Sequence, residues 1–109
     1  MPKRDAPSTA TEPGRDERRQ ANLDRRKRER AFQALTKRVA ELEARIADAE
    51  KTIKDVEQQM AAPDFYVDQT AAKAALAKHQ ELMWQVGELL SQWEMLQAET
   101  DQYADLRNQ

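Results

Sequence analysis

Apolar residues recur along most of this chain at alternating intervals of three and four. In the first half, Phe32, Leu35, Val39, Leu42, Ile46, Ala49, Ile53, Val56 and Met60 follow steps of 3, 4, 3, 4, 3, 4, 3 and 4. In the second, Ala75, His79, Leu82, Val86, Leu89, Trp93, Leu96, Thr100 and Tyr103 follow steps of 4, 3, 4, 3, 4, 3, 4 and 3, with Leu76, Met83 and Leu90 widening the stripe on one side. A seven-residue repeat of this kind is the signature of helices that pack along a common seam. Glu41 with Arg45 and Glu50 with Lys54 place an acid four residues before a base, an arrangement that supports a helix from its outer face.

Between the two stripes lies Ala61-Ala62-Pro63-Asp64-Phe65-Tyr66-Val67-Asp68-Gln69-Thr70. Pro63 disfavours helical geometry at Ala62, and Asp68 or Thr70 can cap the start of a second helix through its side-chain oxygen. A connection this short makes the helices antiparallel neighbours. The pattern therefore predicts an all-α fold: a two-helix antiparallel coiled-coil hairpin behind a disordered N-terminal tail. The expected boundaries are a disordered basic linker over 1–21 and a hairpin over 22–109, with helices at about 22–61 and 70–105 and a turn at 62–69. Facing pairs are expected near Val56 with His79, Ala49 with Leu82, Ile46 with Val86 and Val39 with Trp93. The tail follows from Pro2, Pro7, Pro13, Ser8, Thr9, Thr11 and Gly14, a composition with too little apolar surface to offset its chain entropy.

Two helices share one groove, and the core this builds is thin. A large apolar side chain contributes about 1.5–3 kcal/mol on burial, while ordering each residue costs roughly 1.5 kcal/mol. Such a hairpin is expected to lean on the rest of a larger chain, a second copy or a partner, and the pattern leaves its oligomeric state open.

Composition narrows the functional classes. With 109 residues there is room for one small domain. No Cys is present, which removes disulfides, thiolate metal sites and cysteine nucleophiles. The one His cannot serve both a catalytic triad and a metal cluster. Gly14 and Gly87 stand alone, whereas a phosphate-cradling loop needs several glycines at fixed offsets. No apolar run approaches the length of a membrane span, so no membrane partner is expected. The opening residues lack the apolar stretch of a secretory signal. No catalytic residue, no metal site and no cofactor is expected in this domain.

Charge is the one asymmetric property. Between Gly14 and Arg38 stand ten bases (Arg15, Arg18, Arg19, Arg25, Arg26, Lys27, Arg28, Arg30, Lys37 and Arg38) against Asp16, Glu17, Asp24 and Glu29, a balance of +6. From Pro63 onwards three bases meet eight acids, a balance of −5. If helix one reaches this region, Arg19, Arg26, Arg30 and Lys37 share a face. A stripe of this kind neutralises phosphates by releasing counterions, without reading base sequence, and Arg suits phosphate better than a plain surface requires. Against this stands a solvated stripe neutralised within the hairpin, where Asp101 and Asp105 are expected opposite Arg28. The candidate nucleic-acid-binding residues are Arg15, Arg18, Arg19, Arg25, Arg26, Lys27, Arg30, Lys37 and Arg38.

The remaining candidates are contact residues. His79 sits on the seam among Ile53 and Val56 and reads as a partly exposed seam histidine. Phe65 and Tyr66 either dock a partner or plug the open end of the hairpin. Trp93 and Tyr103 lie on the seam and are expected in the core. Trp84 falls on the opposite face, where an exposed indole suggests a partner-contact surface.

Leu42-Glu43 and Ile46, then Pro63-Asp64-Phe65-Tyr66, then Trp93-Glu94 followed by Leu96 resemble the C-terminal coiled-coil domain of ABC-F ATPases, over roughly Arg26 to Ala98. The Arg-rich segment ahead of the seam departs from the Tyr/Lys-containing lead-in common in that family. The resemblance implies a non-catalytic appendage of a cytoplasmic ATPase whose nucleotide-binding modules lie elsewhere in the parent chain and bind the ATP. Members of the family are associated with ribosomes and translation, and some bind DNA through this domain. The resemblance thus implies a nucleic-acid partner, DNA or ribosomal or transfer RNA. The alternative reading is a protein-interaction or dimerisation coiled coil without nucleic-acid binding.

Overall fold

The computed structural model describes residues 2–108, with side chains from Gly14 to Asn108. Two helices, α1 (Pro2–Met60) and α2 (Gln69–Arg107), run antiparallel and pack against one another. Their Cα atoms span 19 × 14 Å across the rod, the width of two helices side by side. No helix among the described residues is long and apolar enough to cross a membrane.

Residues 14–21 continue α1 without a break, so the helix starts well ahead of the expected position near Asn22. The cause is local. Arg15, Glu17, Arg18, Arg19 and Gln20 are good helix formers, and side-chain bonds one turn apart brace this stretch: Gln20 donates to Asp24 at 3.0 Å and Arg25 donates to Asn22. The rest of the expected tail, residues 1–13, lies outside the residues whose side chains are described.

At the other end α1 stops at Met60, three residues before Pro63. The connection is two successive tight turns, with Phe65 N–H donating to the Ala62 carbonyl and Val67 N–H to the Asp64 carbonyl, both at 3.0 Å. Asp68 is the cap of α2: its backbone is extended (φ −100°, ψ 101°) and its carboxylate accepts from the Ala71 N–H at 3.1 Å.

The seam buries Leu35, Val39, Leu42, Ile46, Ile53 and Val56 of α1, but only Ala72, Leu89 and Thr100 of α2. The asymmetry is one of side-chain size. α1 offers slim aliphatic residues; α2 lays larger ones over them, and Trp93, Leu96 and Tyr103 stay half-buried because their outer edges meet water. Leu42, Ile46 and Leu89 form the central cluster, with Trp93 and Leu96 packed against it. The one buried polar side chain among the described residues, Thr100, returns its hydroxyl to the Leu96 carbonyl at 2.7 Å.

Three polar contacts fix the stagger. His79 Nε2 meets Glu57 Oε2 at 3.1 Å, Trp93 Nε1 donates to Glu43 Oε2 at 3.2 Å, and Arg107 Nε donates to Glu29 Oε2 at 3.2 Å. The three glutamates stand two heptads apart on α1 and their three partners stand two heptads apart on α2. Each step along one helix is matched by an equal step along the other, as antiparallel packing demands.

This stagger corrects the expected pairs away from the tip. Val56 with His79 is consistent with the Glu57 contact. The seven residues from Val56 to Ala49 then require seven from His79, which is Val86 and not Leu82. Ile46 correspondingly packs with Leu89 and not at the level of Val86, and Trp93 sits at the level of Glu43 and Leu42, one turn nearer the tip than Val39. The pairs Glu41–Arg45 and Glu50–Lys54 do not close either. Among the described residues Arg107–Glu29 is an ion pair, and His79 meets Glu57 at hydrogen-bond distance. Exposed pairs one turn apart gain only a few tenths of a kcal/mol, too little to hold two long side chains together.

Three stability outcomes follow from these contacts. Ile46→Ala removes the centre of the Leu42–Leu89 cluster and is expected to lower unfolding free energy by about 2–3 kcal/mol, read by urea denaturation followed at 222 nm. Asp68→Ala removes the cap and should cost about 1 kcal/mol in the same assay. Gly87 is inside α2, and a Cβ there would meet nothing within 4 Å. Gly87→Ala is therefore expected to raise stability of dilute protein by about 0.5–1 kcal/mol; a loss would show that the position is constrained within the hairpin.

Candidate nucleic-acid interface

The apolar repeat of α1 does not simply end; it turns into arginine. Counting back by heptads from Phe32 and Leu35, the next seam positions are Arg25 and Arg28, and the one beyond Arg25 is Arg18. Arginine at these positions cannot be buried against a facing apolar helix without leaving a charge desolvated. The seam accordingly closes on a polar clasp: Arg107 of α2 pairs with Glu29 and lays its guanidinium 5.0 Å from the centre of the Phe32 ring. Arg25, Arg28 and Glu29 line a shallow cleft there with Leu106 and Arg107. From this clasp outward, α1 runs on beyond the last contact with α2.

Every candidate base on α1 is exposed (Arg15, Arg18, Arg19, Arg25, Arg26, Lys27, Arg30, Lys37 and Arg38), and so is Arg28 among them. The structure sorts them into three groups. Arg15, Arg18 and Arg19 stand on the single-helix arm. Arg25, Arg26, Lys27, Arg28 and Arg30 surround α1 at the clasp, because five bases in six residues leave no side of a helix without one. Lys37 continues the Arg26–Arg30 face along the outside of the hairpin, while Arg38 borders the seam beside Gln92 and Leu96.

The expected neutralisation by Asp101 and Asp105 does not occur. Neither pairs with Arg28: Asp101 accepts from Gln97 at 3.1 Å, and the base that reaches this level from α2 is Arg107. The single acid of the 25–30 run, Glu29, is thereby occupied by a base from the other helix. The net result is a collar of five exposed cations in which the one acid within the run is already engaged, while Asp24 just before it accepts from Gln20.

Arg28 and Arg107 were not among the candidate residues, and their signal was present in the sequence. Extending the α1 register back from Leu35 puts Arg28 on the seam, and extending the α2 register two heptads beyond Trp93 puts Arg107 there.

The partner-contact candidates separate. Phe65, in the connection between the helices, is half-buried with the Tyr66 ring edge-on to it at 4.8 Å, whereas Tyr66 is 69% exposed. Trp84 is 67% exposed and borders a shallow cleft with Gln85, Glu88 and, from α1, Arg45. His79 lies at the seam edge against Glu57, and no group of three or more His, Asp or Glu able to hold a metal ion occurs among the described residues. Gly14 and Gly87 both lie within helices, and among the described residues no glycine adopts a positive φ, so neither forms a turn of the kind that cradles phosphate.

Comparison with known proteins gives one finding. No curated protein and no solved structure matches the chain. A family model described as the ABC transporter C-terminal domain matches residues 25–98, which begins at the arginine collar and takes in the turn and most of α2. With more than half of its length matched, the chain belongs to the ABC transporter C-terminal domain family.

Proposed function

We propose that this domain binds the phosphate backbone of nucleic acid through the basic stretch of α1, as a non-catalytic appendage of a cytoplasmic ATPase. The nucleotide-binding modules, and the ATP they hold, belong elsewhere in the parent chain. The observation that supports this reading most is the collar at 25–30: five exposed cations, two of them on seam positions where an aliphatic residue would serve packing, with their one acid held by Arg107. A sequence selected only for a stable hairpin would continue the aliphatic seam to the end of α2. Arginine there weakens the seam and provides planar, always-charged donors suited to phosphate.

The mechanism this supports is electrostatic. The arm and collar follow a backbone of DNA or of ribosomal or transfer RNA, each Arg or Lys displacing counterions. The hairpin, held straight by its glutamate ladder, acts as a spacer that sets how far the tip stands from the bound strand. Bases are not read, because no side chain on this face combines planarity with a fixed orientation beyond the clasp.

A second reading, a protein-contact module without nucleic-acid binding, is favoured by the exposure of Trp84. Salt separates the two. Fluorescence-anisotropy titration of labelled duplex DNA and structured RNA at two salt concentrations is expected to show affinity falling steeply with salt, by about 0.9 log unit per log unit of salt for each phosphate engaged on duplex. The triple reversal Arg26→Glu, Arg30→Glu, Lys37→Glu should abolish binding while circular dichroism stays unchanged, since all three face water away from α1's seam. No binding of either nucleic acid at low salt sinks the proposal and leaves the arginines as a solvated surface.

A further inference from the structure

Gly87 has no reason within the hairpin. It lies in the middle of α2, where glycine weakens a helix, and a Cβ there would point into open space. Around it the outer face of α2 is apolar: Met83 and Trp84 lie one turn before it and Leu90 one turn after, 53%, 67% and 43% exposed. Among the described residues none buries them fully. A glycine at the centre of an uncovered apolar helix face permits another backbone to come close.

The line through Gly87 indicates whose backbone. Lys73, Gln80, Gly87, Glu94 and Asp101 recur every seven residues along this face, all exposed. Two α2 helices crossing antiparallel with both Gly87 residues on the two-fold axis bring Lys73 of each to the level of Asp101 of the other, and Gln80 to the level of Glu94. The flanking rows match under the same operation. Met83 comes beside Leu90 of the second copy, and the bulky Trp84 beside the small Ser91. Among the described residues Lys73 forms no ion pair, and Asp101 accepts from its neighbour Gln97. A symmetric contact must be self-complementary in this manner, whereas a face shaped for a different partner has no need to invert its charge about its own midpoint.

We infer that the outer face of α2 is a homodimer interface: two copies of this chain associate antiparallel about Gly87, with Trp84, Met83 and Leu90 buried between them and Lys73–Asp101 pairs at both ends. The contact is independent of the basic stretch of α1, which stays on the outside of the four-helix assembly. From Lys73 to Asp101 the shared length is roughly 42 Å at about 1.5 Å per residue, and the helices approach closely only because residue 87 lacks a side chain.

Sedimentation equilibrium of the 109-residue chain, without nucleic acid, tests this over a range of concentrations. A monomer–dimer equilibrium is expected. Gly87→Leu should keep or improve helicity by circular dichroism and yet sediment as a monomer, because its side chain occupies the space the second backbone needs. Lys73→Glu and Asp101→Lys should each weaken association by about tenfold, since each creates two like-charge contacts per dimer, and the Lys73→Glu, Asp101→Lys double variant should restore it. A wild-type chain that stays monomeric at all concentrations overturns the inference, as does a dimer indifferent to Gly87→Leu. A double variant no stronger than the singles overturns the antiparallel register.

Discussion

A single groove between two helices carries everything else in this molecule. With only one interface, no third element can correct a slip, and the two seams must keep equal stride over their whole length. The glutamate ladder meets that demand. Glu57, Glu43 and Glu29 recur at two-heptad intervals and meet His79, Trp93 and Arg107 at the same interval. Each contact is exposed and individually weak, and none supplies much stability. Their value is in register: sliding by one turn would break all three together while leaving the aliphatic seam nearly as well packed as before.

Each of the three partners solves a local problem as well. At the tip, His79 faces a side of the seam that is open to water. In the middle, Trp93 roofs Leu42, Ile46 and Leu89 and needs an acceptor for its indole N–H, which Glu43 provides. At the far end, Arg107 covers the Phe32 ring and neutralises the one acid in a run of bases. The last contact joins architecture to chemistry, since the bond that closes the seam also engages the one acid within the Arg25–Arg30 run. The opposite face of α2 obeys different rules. Its Trp84, Met83 and Leu90 leave much of their apolar surface in water, and its glycine works against the helix that bears it.

The helices, their turn, the Asp68 cap and the seam membership of nearly every buried residue were legible in the sequence, because heptad spacing is a direct record of which side of a helix is covered. The pairing across the seam was less so. Periodicity assigns residues to a stripe but carries no information on stagger, and only the requirement of equal advance connects Ala49 to Val86 instead of Leu82. The start of α1 was misplaced for a related reason. The seam repeat begins only at Phe32, yet Arg15, Glu17, Arg18, Arg19 and Gln20 are helix formers that need no seam. On the candidate interface, the positions and exposure of the bases were readable, while the fate of Glu29 was not, because a residue 78 positions away in the chain decides it.

The turn at Pro63 also governs the order in which the seam assembles. Contacts across the hairpin link residues 22 apart in sequence at Glu57 and His79, and 50 apart at Glu43 and Trp93. Closing a longer loop costs only about 0.6 kcal/mol for each doubling, but a seam already closed near the tip reduces every later step to the addition of one turn. Folding therefore runs as a zip from the turn outward, and fraying runs the other way. The arginine collar sits where the zip closes last and opens first. Any partner that grips or prises that end acts on the least costly part of the molecule, while the tip-proximal seam stays shut.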